Sequence, residues 1–87
     1  MEYTINHDKE NHLFTTIVDN ATAYVEYELY NNSMLIMHTI VPRRIEGRGV
    51  AAALVQAAYE YAKSENLQVT PVCSYAKAWE MRHPEYK

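Results

Sequence analysis

The sequence predicts an α+β fold: a single, mostly antiparallel sheet with helices packed on it, in the order β-β-β-β-α-β-α. The first half of the chain carries β-branched runs and alternating apolar residues. These are interrupted by the turn pairs Asp19-Asn20 and Asn31-Asn32, which is typical of an antiparallel meander. From Gly49 onward the apolar residues recur with helical spacing in an alanine-rich stretch.

Each predicted element follows from its local pattern. Tyr3 and Ile5 alternate with polar neighbours and indicate the first strand. Pro71 has no N–H group to donate, so the strand that contains it is expected at an edge, a bulge or a splayed end. The other predicted elements are strands at Leu13–Val18, Ala21–Tyr30, Met34–Val41 and Leu67–Cys73, a helix from Gly49 to about Glu65, and a helix at Tyr75–Arg82 before Pro84.

The residue patterns of two strands also predict which of their faces are covered by other parts of the protein. The strand Met34–Val41 is apolar at nearly every position, so we expect it to be covered on both faces. The preceding strand alternates instead, which gives it one apolar face and one mixed face. The apolar face carries Val25, Tyr27 and Leu29, and the mixed face carries Tyr24, Glu26, Glu28 and Tyr30.

Length and composition exclude several classes of protein. The 87 residues are enough for one small domain, predicted to span residues 1–87, and a 48% hydrophobic content excludes disorder. No apolar run approaches the roughly 18 residues of a membrane helix, and the N-terminus is too polar for a signal peptide. One cysteine and no disulfide fit a cytoplasmic protein. The net charge of −3 argues against nucleic-acid binding, and the His and Cys spacing argues against a metal site.

The stretch V-P-R-R-I-E-G-R-G-V-A-A-A-L, residues 41–54, carries the strongest chemical signal. An apolar strand ends there, a loop with arginines and glycines follows, and a helix begins. The start of a helix has unpaired N–H groups and a partial positive charge, and glycines let a phosphate approach the backbone. These residues therefore indicate a phosphate or pyrophosphate site, although a helix entry with solvated arginines is the alternative. The Walker A sequence and the third glycine of a dinucleotide fingerprint are absent.

The order of a strand, an R/Q-x-x-G-x-G/A loop, an alanine-rich helix and a further strand resembles the acyl-CoA site of the GNAT N-acetyltransferases. The resemblance is closest to their minimal single-domain branch and extends from Ile5 to Tyr86. Its markers are V-P-R-R-I-E-G-R-G-V-A, A-A-Y-E-Y-A-K-S-E-N-L, P-V-C-S-Y and R-H-P-E-Y. In the usual register Glu46 stands where the family has Arg or Gln, with Gly49 and Ala51 as the small residues. In a register that starts at Arg44, Gly47 and Gly49 satisfy the pattern.

This resemblance implies that acetyl-CoA is the acyl donor. It assigns the pyrophosphate to the backbone of residues 47–51, helped by two arginines, and the pantetheine arm to the end of the fourth strand. The cofactor-binding residues implied in this way are Thr39, Ile40, Val41, Arg44, Gly47, Arg48, Gly49, Val50 and Ala51.

Three residues are candidates for the transfer chemistry. Cys73 stands where the minimal branch carries a cysteine and is a candidate nucleophile, with a small buried residue as the alternative. Tyr75 is a candidate proton donor to the leaving thiolate, by resemblance to larger GNAT enzymes. His38 is a candidate general base, although a histidine in an apolar strand is more often a core residue.

Two functions follow from these assignments. The first is transfer of an acyl group to an amine, directly or through Cys73. A chain of this size leaves no room for the extra helices that wall the acceptor site in larger members. We therefore expect a large or exposed amine, such as one on a protein or peptide, as the acceptor, or a weakly selective enzyme. The second is a CoA-binding module without turnover, which Glu46 favours.

Overall fold

The structure, a computed structural model, describes residues 3–87 and confirms the predicted α+β fold. Five strands form one sheet in chain order. The first four strands are antiparallel to their neighbours, and the fifth runs parallel to the fourth. The elements are β1 (Asn6–Asp8), β2 (Leu13–Val18), β3 (Ala21–Tyr30), β4 (Ser33–Ile40), α1 (Val50–Ser64), β5 (Gln68–Pro71) and α2 (Ser74–Arg82), with 3₁₀ turns at Arg43–Ile45 and Pro84–Tyr86.

The first strand lies later in the chain than its sequence pattern predicts. β1 begins at Asn6, which pairs with Thr15 of β2. Tyr3 and Ile5 precede this strand and pack against the core. The Tyr3 hydroxyl donates to the carbonyl oxygen of Arg48, so side-chain anchoring produces the alternation that the sequence analysis assigned to a strand.

The two predicted turns have the backbone conformation that a tight antiparallel hairpin requires. Both residues of each pair have positive φ, at 50° and 65° for Asp19 and Asn20 and at 49° and 64° for Asn31 and Asn32. Two consecutive left-handed residues match the right-handed twist of the flanking strands, and Asn and Asp tolerate this conformation better than most residues.

Both helices pack on the same face of the sheet, which we call the inner face. From α1, Leu54 and Ala58 are fully buried there, and from α2, Trp79 is buried with its ring centroid 4.9 Å from that of Tyr59. The expectation that β4 is covered on both faces is therefore wrong. Its inward side chains Met34 and Ile36 are fully buried, whereas Ile40 on the other face is 45% exposed. Neither helix is long and apolar enough, within the described residues, to cross a membrane.

A β-bulge changes which side chains of β4 point inward. Glu26 pairs with His38, but the next residue of β3, Tyr27, pairs with Ile36, so Met37 is the extra residue. Before the bulge, Ile36 points inward opposite Tyr27. After it, Thr39 points inward opposite Val25. The bulge thus turns a threonine toward the helices at the end of β4.

Candidate functional site

A cleft of about 520 Å³ opens between the end of β4 and the start of α1. Three of the residues that line it, Ile45, Glu46 and Ala52, were not predicted from the sequence as site residues. A second cavity of similar volume lies beside Tyr59 and Glu80, and none of the predicted site residues lines that one. The predicted site residues that line the first cleft are Thr39, Ile40, Val41, Gly47, Gly49, Val50, Ala51 and Tyr75.

The start of α1 presents backbone N–H groups that the helix itself does not use. The first hydrogen bond of the helix runs from the Ala53 N–H group to the Gly49 carbonyl, at 3.0 Å. The N–H groups of residues 50–52 precede this bond and have no carbonyl partner within the helix. The N-cap is Gly49, which has no side chain to cap them. The wall of the cleft therefore carries hydrogen-bond donors and the positive end of the α1 dipole.

The two glycines of the loop are explained by backbone conformation. Gly47 and Gly49 have φ of +78° and +79°, in the left-handed region that favours glycine. A Cβ atom added to either one would meet no other atom within 4 Å. Open space therefore lies directly in front of the loop, and these residues fit a phosphate-bearing ligand.

The structure places neither predicted arginine among the residues that line the cleft. Arg48 Nη1 lies 2.5 Å from Asp19 Oδ2 at the β2–β3 turn, and the two side chains are 42% and 60% exposed. Arg44 is exposed on the 3₁₀ turn after β4. Glu46, by contrast, lines the cleft itself. The charged side chain at the wall is therefore acidic.

Cys73 lies next to the cleft at the junction of β5 and α2. It is the N-cap of α2, and its Sγ atom accepts a hydrogen bond from the Ala76 N–H group at 3.4 Å. Thr39 Oγ1 lies 3.4 Å from the same sulfur. Because Thr39 also lines the cleft, it connects the half-buried Cys73 to that space.

The other two candidates for transfer chemistry lie on different sides of the sheet. Tyr75 lines the cleft, and burial raises the pKa of its hydroxyl, with an opposing effect from Arg82. The Tyr75 hydroxyl is therefore protonated at neutral pH and able to donate. His38 is exposed and pairs with Glu26 on the face away from the helices, so the fold does not bring it to the cleft.

Three features of the cleft have no clear signal in the sequence. The bulge at Met37, which turns Thr39 inward, leaves no pattern that distinguishes β4 from a regular strand. Ile45 and Ala52 read as ordinary apolar residues of a turn and a helix, yet both line the cleft.

Within residues 3–87, no group of three His, Cys, Asp or Glu side chains is placed to hold a metal ion.

A mostly antiparallel sheet, with a bulged fourth strand leading through a glycine loop to an uncapped helix, defines a small α+β class of protein. Within this class, the chain belongs to the GCN5-related N-acetyltransferase family, whose sequence model matches residues 2–87. It is similar to the NMR solution structure of a GCN5-like protein from Staphylococcus aureus. That similarity has a TM-score of 0.76 and 31% identity, and it covers 97% of this chain and 83% of the other.

Curated vertebrate proteins are similar over nearly the same length. Protein NATD1 of Danio rerio is 30% identical over 88 residues, covering 94% of this chain and 79% of that protein. Protein NATD1 of Gallus gallus is 28% identical over 83 residues, covering 92% and 76%.

Proposed function

We propose that the protein binds acetyl-CoA in the cleft between β4 and α1 and transfers the acetyl group to an amine, directly or through Cys73. The observation that carries this proposal is the set of unused N–H groups at the start of α1, which border open space beside two left-handed glycines. Anions bind at such helix starts because the N–H groups and the dipole both favour negative charge. Membership of the N-acetyltransferase family supports the choice of acetyl-CoA.

In the proposed binding mode, different parts of acetyl-CoA contact the two sides of the cleft. The pyrophosphate would accept hydrogen bonds from the backbone of residues 47–51, and the pantetheine arm would lie along residues 39–41. Arg44, which is exposed outside the cleft, would contribute long-range positive charge, whereas Arg48 would do so only to the extent that Asp19 leaves its charge unpaired. Acetyl-CoA supplies the activated acyl group, and positioning is then the main task of the protein.

Cys73 and Tyr75 are the residues proposed to take part in the transfer. In the route through Cys73, the thiol releases its proton to solvent, and its sulfur forms a bond to the acetyl carbonyl carbon while the bond from that carbon to the CoA sulfur breaks. Tyr75, which lines the cleft, is the proposed proton donor to the leaving CoA sulfur, and it regains a proton from solvent. Attack by the acceptor amine on acetylated Cys73 forms the amide and restores the thiol. In the direct route, the amine attacks the donor itself.

A second candidate function is a CoA-binding module without turnover. Glu46 favours it, because a carboxylate in the cleft wall repels a pyrophosphate and opposes tight binding of the donor. The two functions predict the same contacts with CoA and differ only in whether an acetylated product forms.

The proposal is tested by adding acetyl-CoA to isotope-labelled protein and following the backbone amide resonances. We expect residues 39–41 and 47–51 to shift, whereas Lys63 and Gln68 of the second cavity stay unchanged. Intact mass measured in the same sample then reports an added acetyl group, peptide mapping assigns it to Cys73, and added amines report transfer. Shifts confined to the second cavity, or no shifts, would exclude the proposed binding site. Binding without any acetylated product would favour the module.

A further inference from the structure

The sheet has one face that neither helix covers, and we call it the outer face. Pairing between strands defines its rows of side chains. Thr15, Tyr24 and Ile40 form one row, because Tyr24 pairs with each of the other two. Parallel rows contain Leu13, Glu26 and His38, and then Glu28, Leu35 and Thr70. Asp8 of β1 pairs with Leu13 and continues the second row, so the outer face extends across all five strands.

Exposed apolar side chains are concentrated on this face. Ile17 is 67% exposed, Tyr30 is 69% exposed and Ile40 is 45% exposed, and all three belong to outward positions of their strands. Val72, which continues the alternation of β5, is 40% exposed. Ile17 and Tyr30 lie at opposite ends of the face, whereas Tyr24 and Ile40 are directly paired and form an apolar patch at the end nearest the cleft. An exposed apolar patch on a small protein marks an interaction site more often than single exposed residues do.

The charge on the outer face has one sign. Its charged strand residues are Asp8, Glu26 and Glu28, and no lysine or arginine occupies an outward position of strands β1–β5. Two cations near these strands have partners elsewhere. Lys9 lies over the ring of Tyr61 in α1, on the inner side, and Arg48 pairs with Asp19.

The outer face also borders the reactive end of the cleft. His38 and Ile40 flank Thr39 in β4, and their side chains point outward while that of Thr39 points inward toward Cys73. Val72 flanks Cys73 in the same way at the end of β5. A segment lying on the outer face therefore passes the strand ends between which Thr39 and Cys73 meet.

We propose that the outer face docks a cationic, amphipathic segment of a polypeptide acceptor. This inference rests on the proposed function and specifies its substrate class. Apolar side chains of the segment would contact Tyr24, Ile40 and their neighbours, and lysine or arginine side chains would pair with Glu26 and Glu28. A second copy of this chain fits less well, because two outer faces in contact would bring like charges together. The acceptor lysine would reach the cleft past His38.

The docking is tested without acetyl-CoA, by adding a synthetic peptide to isotope-labelled protein. In this peptide arginine and leucine alternate around one lysine. A matched peptide carries neutral citrulline in place of arginine. We expect the arginine peptide to shift amide resonances of residues 24–30 and 35–40 at low salt. In the double variant Glu26→Gln/Glu28→Gln, the Kd should rise about fivefold, because each exposed carboxylate contributes only a modest attraction. The effect should largely disappear at high salt.

The control variant is Glu65→Gln/Glu85→Gln, which removes the same net charge on the helix side and should leave the Kd within about twofold. An unchanged Kd in the outer-face variant, equal binding of the citrulline peptide, or shifts confined to the helices would overturn the inference. So would concentration-dependent dimerisation that shifts the outer-face resonances, since the occupant would then be a second copy.

Failure of docking and failure of the proposed function give different results. If the arginine peptide binds the outer face but is never acetylated in the presence of acetyl-CoA, docking stands and acyl transfer to this class is wrong. If acetyl-CoA binds residues 47–51 and small amines are acetylated while the peptide does not bind, the proposed function stands and the docking surface is wrong.

Discussion

The hydroxyl oxygen of Thr39 lies 3.4 Å from the sulfur of Cys73, and this contact joins the end of β4 to the start of α2. It exists because the bulge at Met37 turns Thr39 to the inner face, opposite Val25. The Ala76 N–H group approaches the same sulfur from α2, also at 3.4 Å. The Thr39 hydroxyl can either accept from the thiol or donate to the sulfur, and toward a thiolate it would act as a second donor beside the Ala76 N–H group.

Replacing Thr39 with valine should slow the reaction of Cys73 with iodoacetamide. The change removes the hydroxyl and keeps the branched shape, so the sulfur loses one donor while the strand retains its side-chain volume. A hydrogen bond to a charged group contributes roughly 1.5 kcal/mol, and we therefore expect the alkylation rate near neutral pH to fall about tenfold. Intact mass measures the rate without ambiguity, because Cys73 is the only cysteine in the sequence.

Thr39→Ser is the matched control for this experiment. Serine keeps the hydroxyl, and the rate should return to within about threefold of the original value. Equal rates for Thr39→Val and the unaltered protein near neutral pH would show that the hydroxyl does not act on the sulfur.

Replacing Gly49 with valine should weaken CoA binding. The left-handed φ of +79° is costly for a β-branched residue, so the unfolding free energy should also fall by about 1–2 kcal/mol. The new side chain meets no atom of the protein within 4 Å of its Cβ position and extends into the space before the α1 N–H groups. We expect the Kd for CoA to rise at least about tenfold, measured by calorimetry well below the melting temperature.

S-acetylpantetheine, which lacks the pyrophosphate, separates the two effects of this change. If Gly49 gives a phosphate access to the backbone, its replacement weakens CoA binding and leaves binding of the fragment nearly unchanged. An equal loss for both ligands would instead mean that the variant distorts the whole cleft.

Neutralising Glu46 should strengthen CoA binding. This carboxylate lines the cleft, where it repels the negatively charged pyrophosphate proposed to bind there. In Glu46→Gln, the Kd should fall about threefold at low ionic strength and converge with the original value at high salt. Glu65→Gln at the end of α1 serves as the charge-matched control and should show no such change. Weaker binding in Glu46→Gln would assign the carboxylate a direct contact with the ligand.

The elements that were predictable from sequence are those encoded by local patterns. The turn pairs, the alternation in β3 and the helical spacing of α1 each involve residues within a few positions of one another. Tyr3 and Ile5 show the limit of this inference, because their alternation reflects anchoring to the core and not strand pairing.

The parts that were not predictable depend on contacts between distant segments. Arg48 reads as a phosphate ligand from its place in the loop, but its partner Asp19 lies 29 positions away in the sequence. The inward direction of Thr39 and the outward direction of His38 both follow from one bulge. A shift of one residue reverses the faces of a strand, so an irregularity without a sequence signal exchanges the roles of neighbouring residues.

The last prediction concerns His7, which is predicted to make the stability of the protein depend on pH. Its Nε2 atom lies 2.6 Å from the Tyr27 hydroxyl, and its ring stacks on Phe14 with centroids 4.1 Å apart. Burial lowers the pKa of His7 below its ordinary value of 6.5, and Lys9 lowers it further. Asp8 opposes this effect without reversing it.

Because the pKa of His7 is lower in the folded state, the unfolded chain binds more protons as the pH falls below about 6.5. The contribution of neutral His7 is therefore fully present above that pH and is lost as the pH falls through the folded-state value. We expect the free energy of unfolding, measured with urea at pH 7.5 and at pH 5.5, to differ less between these two pH values in His7→Gln than in the unaltered protein. The exposed His38 provides the control, and His38→Gln should retain the full difference. An undiminished pH dependence in His7→Gln would assign the titration to another group.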